Sequence, residues 1–185
     1  KNIRFIPIYW VIVFMVSINV LYAQSGVKGN TFIHGNKEMM VFKPHNFVYG
    51  GSGLMPGIVC TKRNGPTYLS FSGDAEVMSV SDAAHVDGYV KNYNIPEFTF
   101  PIGDNGRYCP VSIRAAQMFS PIMAAYFGSD PSVAVTSILL GGFEPPLPAG
   151  APFATTALSM GVRKVSQKEY WDVNGSAPVF LTLHW

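Results

Sequence analysis

From Gln24 onward, apolar and polar residues alternate over short runs that end at glycine, proline or asparagine. A period of two is typical of half-buried β-strands, and no stretch keeps the 3.6-residue repeat of a helix. Runs at a spacing of about 8–12 residues favour a sandwich or a barrel. The pattern predicts strands at 31–34, 39–42, 47–48, 57–61, 68–71, 76–80, 84–91, 97–100, 107–113, 123–127, 162–166, 170–173 and 179–185.

A hairpin is predicted where Phe98 and Phe100 alternate with Thr99. Both rings then lie on one side of the strand, and Pro101 ends the ladder because it lacks an N–H donor. Residues 103–106, Gly-Asp-Asn-Gly, predict a tight turn, since Asn and Gly tolerate a positive φ. A calcium site at this turn with Asp82 and Asp87 is the weaker alternative, because the dense acidic spacing of a calcium loop is missing.

The predicted fold class is all-β: a β-sandwich preceded by a short solenoid-like region, with an N-terminal signal helix. We divide the chain into a signal peptide at 1–23, a β-rich region at 24–85 and a sandwich-like module at 86–185. The last module is expected to continue in a longer protein. Residues 131–142 fit a short helix or a strand equally well, and 141–154, which hold four prolines, predict an extended loop.

Residues 1–23 have the three-part order of a secretory signal. Lys1 and Arg4 precede an apolar run, and Leu21-Tyr22-Ala23 supplies a small residue before the expected cleavage site. Gln24 is then the first mature residue. A transmembrane anchor is the alternative, because 5–23 is nearly long enough to span a bilayer. The membrane is therefore expected as a partner only through an uncleaved signal segment.

The net charge bears on two classes of partner, nucleic acids and anionic membrane surfaces. The chain has 13 Lys plus Arg and 11 Asp plus Glu, and two of the basic residues lie in the signal. The mature part therefore carries equal numbers of each sign, which gives no electrostatic reason to bind nucleic acid or an anionic membrane surface.

The chain contains two cysteines, Cys60 and Cys109. An exported protein meets oxidising surroundings, so we expect these two residues to form a disulfide. The alternative is two separate buried thiols that behave as small apolar side chains.

Motifs for catalysis and for cofactor or metal binding are missing from the sequence. Ser52 lies among glycines but without the strand-to-helix context of a nucleophile elbow. The four histidines have no zinc-ligand spacing, and phosphate-binding loops do not occur. The sequence therefore predicts no enzyme, no cofactor and no metal. Four aromatic residues could instead contact a glycan, although aromatic residues in β proteins more often fill the core; they are Tyr89, Tyr93, Tyr170 and Trp171.

Three passages together carry a family resemblance. They are HVDGYVKNYNIPEFTFPIGDNGRYCPVSI at 85–113, VSQKEYWDVNG at 165–175 and HNFVYGGSGLMPGIVCTKRNGPTYLSFSG at 45–73. They resemble large adhesin-like surface proteins of the Bacteroidetes that are exported by the type IX secretion system. The chain departs from that pattern at Cys109, where the family often has a basic or small residue, and it lacks a sorting domain before Trp185.

The resemblance implies a secreted or outer-surface location, with surface glycans or other surface proteins as partners. The resulting hypothesis is a non-enzymatic structural or adhesin-like module. A carbohydrate-binding module of a larger extracellular enzyme is the alternative, and a small extracellular hydrolase is a third class.

Overall fold

The structure is a computed structural model. It describes residues 25–35, 37–42, 45–48, 57–61, 67–115, 120–132, 153–155, 164–176 and 178–185. The predicted signal peptide at 1–23 lies outside these ranges, as do most of the 131–142 and 141–154 segments. Within the described ranges, no helix has the length and apolar character needed to cross a lipid bilayer.

Every regular element of the described residues is a β-strand, which confirms the predicted all-β class. The first nine strands are β1 (Ser25–Lys28), β2 (Thr31–Phe32), β3 (Glu38–Val41), β4 (His45–Val48), β5 (Val59–Cys60), β6 (Tyr68–Ser72), β7 (Val77–Met78), β8 (Val86–Asp87) and β9 (Val90–Tyr93). The remaining seven are β10 (Glu97–Phe100), β11 (Ile102–Asp104), β12 (Arg107–Tyr108), β13 (Val111–Arg114), β14 (Ile122–Phe127), β15 (Tyr170–Asn174) and β16 (Phe180–Leu183).

The first nine strands form three successive coils of three strands each. Each strand pairs in parallel with the equivalent strand of the next coil, giving the ladders β1-β4-β7, β2-β5-β8 and β3-β6-β9. Residues 20 to 32 positions apart thus become neighbours, as where Leu69 pairs with Val90. In the ladders β2-β5-β8 and β3-β6-β9, this stacking buries inward side chains such as those of Val59 and Leu69 against the neighbouring coils.

A corner of the third coil rests directly on the corner of the second. Gly88, between β8 and β9, has φ = 125°, and a Cβ atom there would lie 2.5 Å from the carbonyl oxygen of Thr61. The Thr61 hydroxyl in turn donates to the carbonyl of Tyr89 at 3.2 Å. Only glycine permits both this backbone conformation and this close approach.

The predicted hairpin is confirmed, but it belongs to two sheets. β10 pairs with β13 in antiparallel fashion, while β11 pairs with β12 and also runs parallel to β8. Pro101 lies at the break between β10 and β11. Asn105 and Gly106, both with positive φ, form a two-residue turn between the paired residues Asp104 and Arg107. This is the geometry that Asn-Gly favours in hairpins.

Antiparallel strands extend two of the parallel ladders and form one further sheet, which gives four sheets in the described residues. Their strand orders are β1-β4-β7, β10-β13-β16, β12-β11-β8-β5-β2 and β15-β14-β9-β6-β3. Both five-stranded sheets contain strands from either side of residue 85, where we placed a domain boundary. The predicted strand at 162–166 differs from the structure, because residues 164–166 are exposed and lie outside any strand.

One apolar core joins the coils to the antiparallel strands. The ring centroids of Phe71 and Phe98 are 5.3 Å apart, and those of Phe98 and Phe100 are 5.0 Å apart. Phe98 and Phe100 both point into this core, as their alternation with exposed Thr99 predicts. Burial of these rings stabilises the packing of the antiparallel part on the coils.

The expected disulfide is wrong: Cys60 and Cys109 are both buried, and no disulfide joins them. Cys60 ends β5, whereas the backbone N–H of Cys109 bonds to Ile102 of β11. β8 lies between β5 and β11, so the two cysteines are separated by several strand spacings of about 4.8 Å each. A disulfide requires Cα atoms within about 7 Å of each other. The alternative, separate thiols inside the core, is the arrangement found.

Candidate ligand-binding face

Alternation along the strands gives the sheet β3-β6-β9-β14-β15 two different faces. Leu69 and Val90 point into the main core, whereas their neighbours Tyr68 and Tyr89 belong to a second, smaller cluster on the other side. We call this outward side the tyrosine face. It comprises Glu38, Tyr68, Ser70, Tyr89, Lys91, Tyr93, Phe127, Tyr170 and Asp172.

Strand register brings residues from three coils into one row of the tyrosine face. Glu38 pairs with Tyr68, and the pairing of Leu69 with Val90 sets Tyr68 beside Tyr89. The rings of Tyr68 and Tyr89 meet edge to face with centroids 6.5 Å apart. Residues far apart in sequence thereby form a continuous ring surface across the strands.

Lys91 is the polar centre of this face. Its ammonium nitrogen lies 4.9 Å from the ring centroid of Tyr68 and 4.6 Å from that of Tyr93. It also lies 3.8 Å from the Oε1 atom of Glu38. Glu38 accepts hydrogen bonds from the hydroxyl of Ser70 and, at 3.4 Å, from that of Tyr93. The cluster thus combines one cation, one anion and two aromatic rings.

The cluster keeps Lys91 protonated. Partial burial acts to lower its pKa, but the hydrogen bond to Tyr93 and the charge of Glu38 outweigh that effect, so the pKa of Lys91 is raised. A positive charge over two ring faces is a favourable cation–π arrangement. The side chains of Lys91 and Glu38 are only 16% and 29% exposed, so this charge pair is partly shielded from solvent.

A ladder of rings continues toward the last strands of the sheet. The ring of Tyr89 meets Phe127 edge to face at 6.4 Å, and Phe127 stacks on Tyr170 at 4.7 Å with an interplanar angle of 1°. Phe153 meets Tyr170 edge to face at 5.9 Å. The backbone N–H of Phe153 bonds to the carbonyl of Pro131, which fixes this ring at the end of the ladder.

Asp172 supplies a second carboxylate on this face. It accepts a hydrogen bond from the hydroxyl of Tyr89 and another, at 2.7 Å, from the side-chain amide of Asn174. The tyrosine face therefore carries a carboxylate near each end, with rings and one ammonium group between them. Such a surface offers hydrogen-bond donors and acceptors beside flat apolar areas.

Three of the four predicted glycan-contact residues lie on this face, and one does not. Tyr89 is buried, while Tyr93 and Tyr170 are half-buried. Trp171 points to the opposite side of β15, where its ring packs on Tyr126 with centroids 5.2 Å apart. Its indole N–H donates to the carbonyl of Cys109 at 3.0 Å. The Trp171 side chain therefore packs against the core and is not part of the tyrosine face.

Sequence reasoning missed six members of the face. The sequence could have indicated Lys91, since Tyr89, Lys91 and Tyr93 are two residues apart along the chain and so share one side of the sheet. Tyr68 and Phe127 could not be placed without the pairing of β6, β9 and β14. The same holds for Glu38, Ser70 and Asp172.

Two carboxylates outside this face, those of Asp82 and Asp104, hold backbone groups in place. Asp82 accepts a hydrogen bond from the Tyr108 backbone N–H, and Asp104 accepts one from the Gly128 backbone N–H, each at 2.9 Å. The predicted turn at 103–106 is observed, and the Asp104 carboxylate connects it to the residue after β14 through this hydrogen bond. Among the described residues, no three His, Cys, Asp or Glu side chains lie close enough together to hold a metal ion.

A polar cluster on the other side of the sheet anchors the segment before β15. Glu169 accepts hydrogen bonds from the Tyr126 hydroxyl and, at 2.8 Å, from Arg107. Burial, followed by the hydrogen bond to Glu169, raises the pKa of Tyr126, which keeps its hydroxyl protonated as a donor. Burial likewise raises the pKa of the Cys109 thiol. A neutral thiol is a poor nucleophile, which agrees with a packing role for this cysteine.

Searches of protein families, of curated proteins and of solved structures find no match to this chain.

Proposed function

We propose that this chain is a non-enzymatic structural or adhesin-like module of a secreted or cell-surface protein, and that it meets its partner through the tyrosine face. The signal-like N-terminus and the resemblance to adhesin-like surface proteins of the Bacteroidetes, with export by the type IX route, support the location. The proposed partners are surface glycans or other surface proteins.

The proposed architecture is a short β-solenoid followed by a sandwich-like layer. Parallel stacking of the three coils supports the solenoid, and the contact between Phe71 and Phe98 supports a second layer packed on it. Such a body holds a binding face on regular strands, where side-chain positions are better defined than on loops.

The observation that carries the proposed function is the cluster around Lys91. Rings, a carboxylate and an ammonium group meet there on the outward side of a regular sheet. Tyrosine rings of this kind are enriched where proteins bind one another. The groups are held by cross-strand pairing, so a partner meets a largely preformed surface.

A carbohydrate-binding module is the second candidate. The half-buried rings of Tyr68, Tyr93 and Tyr170 favour it, because rings beside hydroxyl, carboxylate and ammonium groups match the alternating apolar and polar surfaces of a sugar. The rings of Tyr89 and Phe127 are buried and support this row from within. In this case the ligand is a glycan chain lying along the row.

The test is binding of the full chain to arrays of immobilised glycans and of surface proteins, alongside turnover assays on polysaccharides and peptides. We expect saturable binding that is lost on Tyr93→Ala and kept on Trp185→Ala, which removes an exposed ring outside this face. Protein ligands would support the adhesin-like module, and glycan ligands the carbohydrate-binding module. Product release by the purified chain would contradict both, as would equal binding by the two variants.

A further inference from the structure

The three-stranded sheet β10-β13-β16 ends at an unusual edge. β16 pairs with β13 in antiparallel register, with Leu181 opposite Ile113 and Leu183 opposite Val111. The backbone N–H of His184 donates to Pro110 at 3.2 Å, so the peptide groups of even-numbered residues point toward β13. Because these directions alternate along a strand, the N–H and C=O groups of Leu181 and Leu183 point outward from the sheet edge.

The apolar face of this sheet continues onto β16, where its side chains are partly exposed to solvent. Val111 and Ile113 are 0% and 3% exposed, but their cross-strand neighbours Leu183 and Leu181 are 38% and 49% exposed. A further strand beside β16 would pair the outward peptide groups and cover both leucines at once.

Edge strands in the described part of the chain differ in how they discourage pairing. A charged residue lies in each of β1, β3, β10, β12 and β15, and β2 and β7 have only two residues each. β16 has four residues, Phe-Leu-Thr-Leu, and none is charged. Charges and short length are the usual protections of a sheet edge, and β16 has neither of them.

We propose that β16 pairs in antiparallel fashion with β16 of a second copy of this chain, about a two-fold axis at Thr182. Leu181 of one copy then lies opposite Leu183 of the other, and their outward groups exchange four hydrogen bonds. Two three-stranded sheets become one continuous six-stranded sheet. The tyrosine face lies on another sheet, so this pairing is independent of the proposed function.

A second copy fits because β16 is self-complementary. The two-fold arrangement sets Thr182 against Thr182 and Phe180 against His184, both on the exposed side of the sheet, so no two like charges face each other. The apolar side joins leucine to leucine. A closed two-fold interface of this kind is the commonest symmetry of homo-oligomers.

Sedimentation of the full chain over a range of concentrations tests the pairing. We expect a species of twice the 20.2 kDa chain mass. Thr182→Lys should raise the dissociation constant at least about tenfold, because it places two ammonium groups opposite each other at the axis. Thr99→Lys is the matched control: the same substitution at an exposed residue of β10, the other edge of the sheet. A monomer at all concentrations, or equal effects of the two variants, overturns the proposal.

A cross-link tests the register. Thr182 faces its own copy in a non-hydrogen-bonded pair, where Cα atoms are about 4.5 Å apart, and this lies within the range that a disulfide spans. Under mild oxidation, Thr182→Cys should give a disulfide-linked dimer on non-reducing gels, and Thr99→Cys should stay monomeric there. Failure of Thr182→Cys to cross-link in a protein that sediments as a dimer overturns the register at Thr182 and with it the proposal.

Discussion

Strand β6 in the parallel coils and strand β16 at the antiparallel edge are both rich in apolar residues, yet they bury them to different extents. Leu69 and Phe71 of β6 are completely buried, whereas Phe180 of β16 is 81% exposed. β6 has a paired neighbour on either side and a layer packed over its inward face, while β16 has one neighbour. Position in the sheet, more than composition, decides how much an apolar residue stabilises this protein.

The sharpest test of this difference is the same substitution in the two strands. Phe71→Ala should lower the free energy of unfolding by about 4 kcal/mol, since it leaves a cavity in the core beside Phe98. Phe180→Ala should change the free energy of unfolding of the isolated chain by about 0.5 kcal/mol or less. Urea denaturation measures both, and similar losses for the two variants would show that β16 is covered in solution.

The next largest difference in stability is expected between alanine substitutions at two glycines of the coils. Gly88→Ala should destabilise by about 3 kcal/mol, because the added Cβ meets the Thr61 carbonyl and the backbone conformation disfavours a side chain. Gly73 also has positive φ, 64°, but an added Cβ there meets nothing within 4 Å. Gly73→Ala should therefore cost only about 1–2 kcal/mol. Equal thermal shifts for the two variants would contradict the close stacking of coil corners.

The free energy of unfolding is expected to fall in acid because of a buried histidine that lies where the coils meet the hairpin. His85, before β8, is fully buried, and a Cβ on Gly103 of β11 would lie 2.6 Å from its Cδ2 atom. Its Nδ1 atom lies 3.2 Å from the carbonyl oxygen of Ser81, and its Nε2 atom has no hydrogen-bond partner among the described residues. The ring is therefore packed tightly in its neutral form.

Burial lowers the pKa of His85 below the ordinary 6.5, against the opposing effects of the Ser81 carbonyl and of Asp87, Asp82 and Asp104. The unfolded chain then binds a proton more readily, so the free energy of unfolding should fall as the pH drops through 6.5. Urea denaturation at several pH values measures this slope. His85→Gln should reduce it, and the same change at exposed His34 serves as the control. An unchanged slope in His85→Gln would assign the acid sensitivity to other groups.

The smallest effect concerns an ion pair on the antiparallel sheet. The Nε atom of Arg114 lies 3.0 Å from the Oε1 atom of Glu97, and the two side chains are 77% and 71% exposed. Solvent screens such a pair, so a double-mutant cycle with Arg114→Ala and Glu97→Ala should give a coupling of about 0.5 kcal/mol or less. High salt should remove the coupling. A value several times larger would show that this surface is shielded from solvent.

Local sequence features predicted several parts of the fold well. Alternation placed Phe98 and Phe100 on one side of β10, because a strand repeats every two residues whatever it pairs with. Asn105-Gly106 predicted its turn because few other residue pairs adopt two successive positive φ angles. The same alternation explains why Tyr89, Lys91 and Tyr93 share one side of the sheet, although only the two tyrosines were predicted as contact residues.

The sequence by itself determined the all-β class, the position of most strands and which residues of a strand share a side. Tertiary structure alone decided which strands are neighbours. It placed β8 between the strands near Cys60 and Cys109, which excludes their disulfide, and it brought Tyr68, Tyr89 and Phe127 onto one face while turning Trp171 to the other. The reason is physical: a strand's side-chain alternation is local, but its partner and register are set by burial against residues far along the chain.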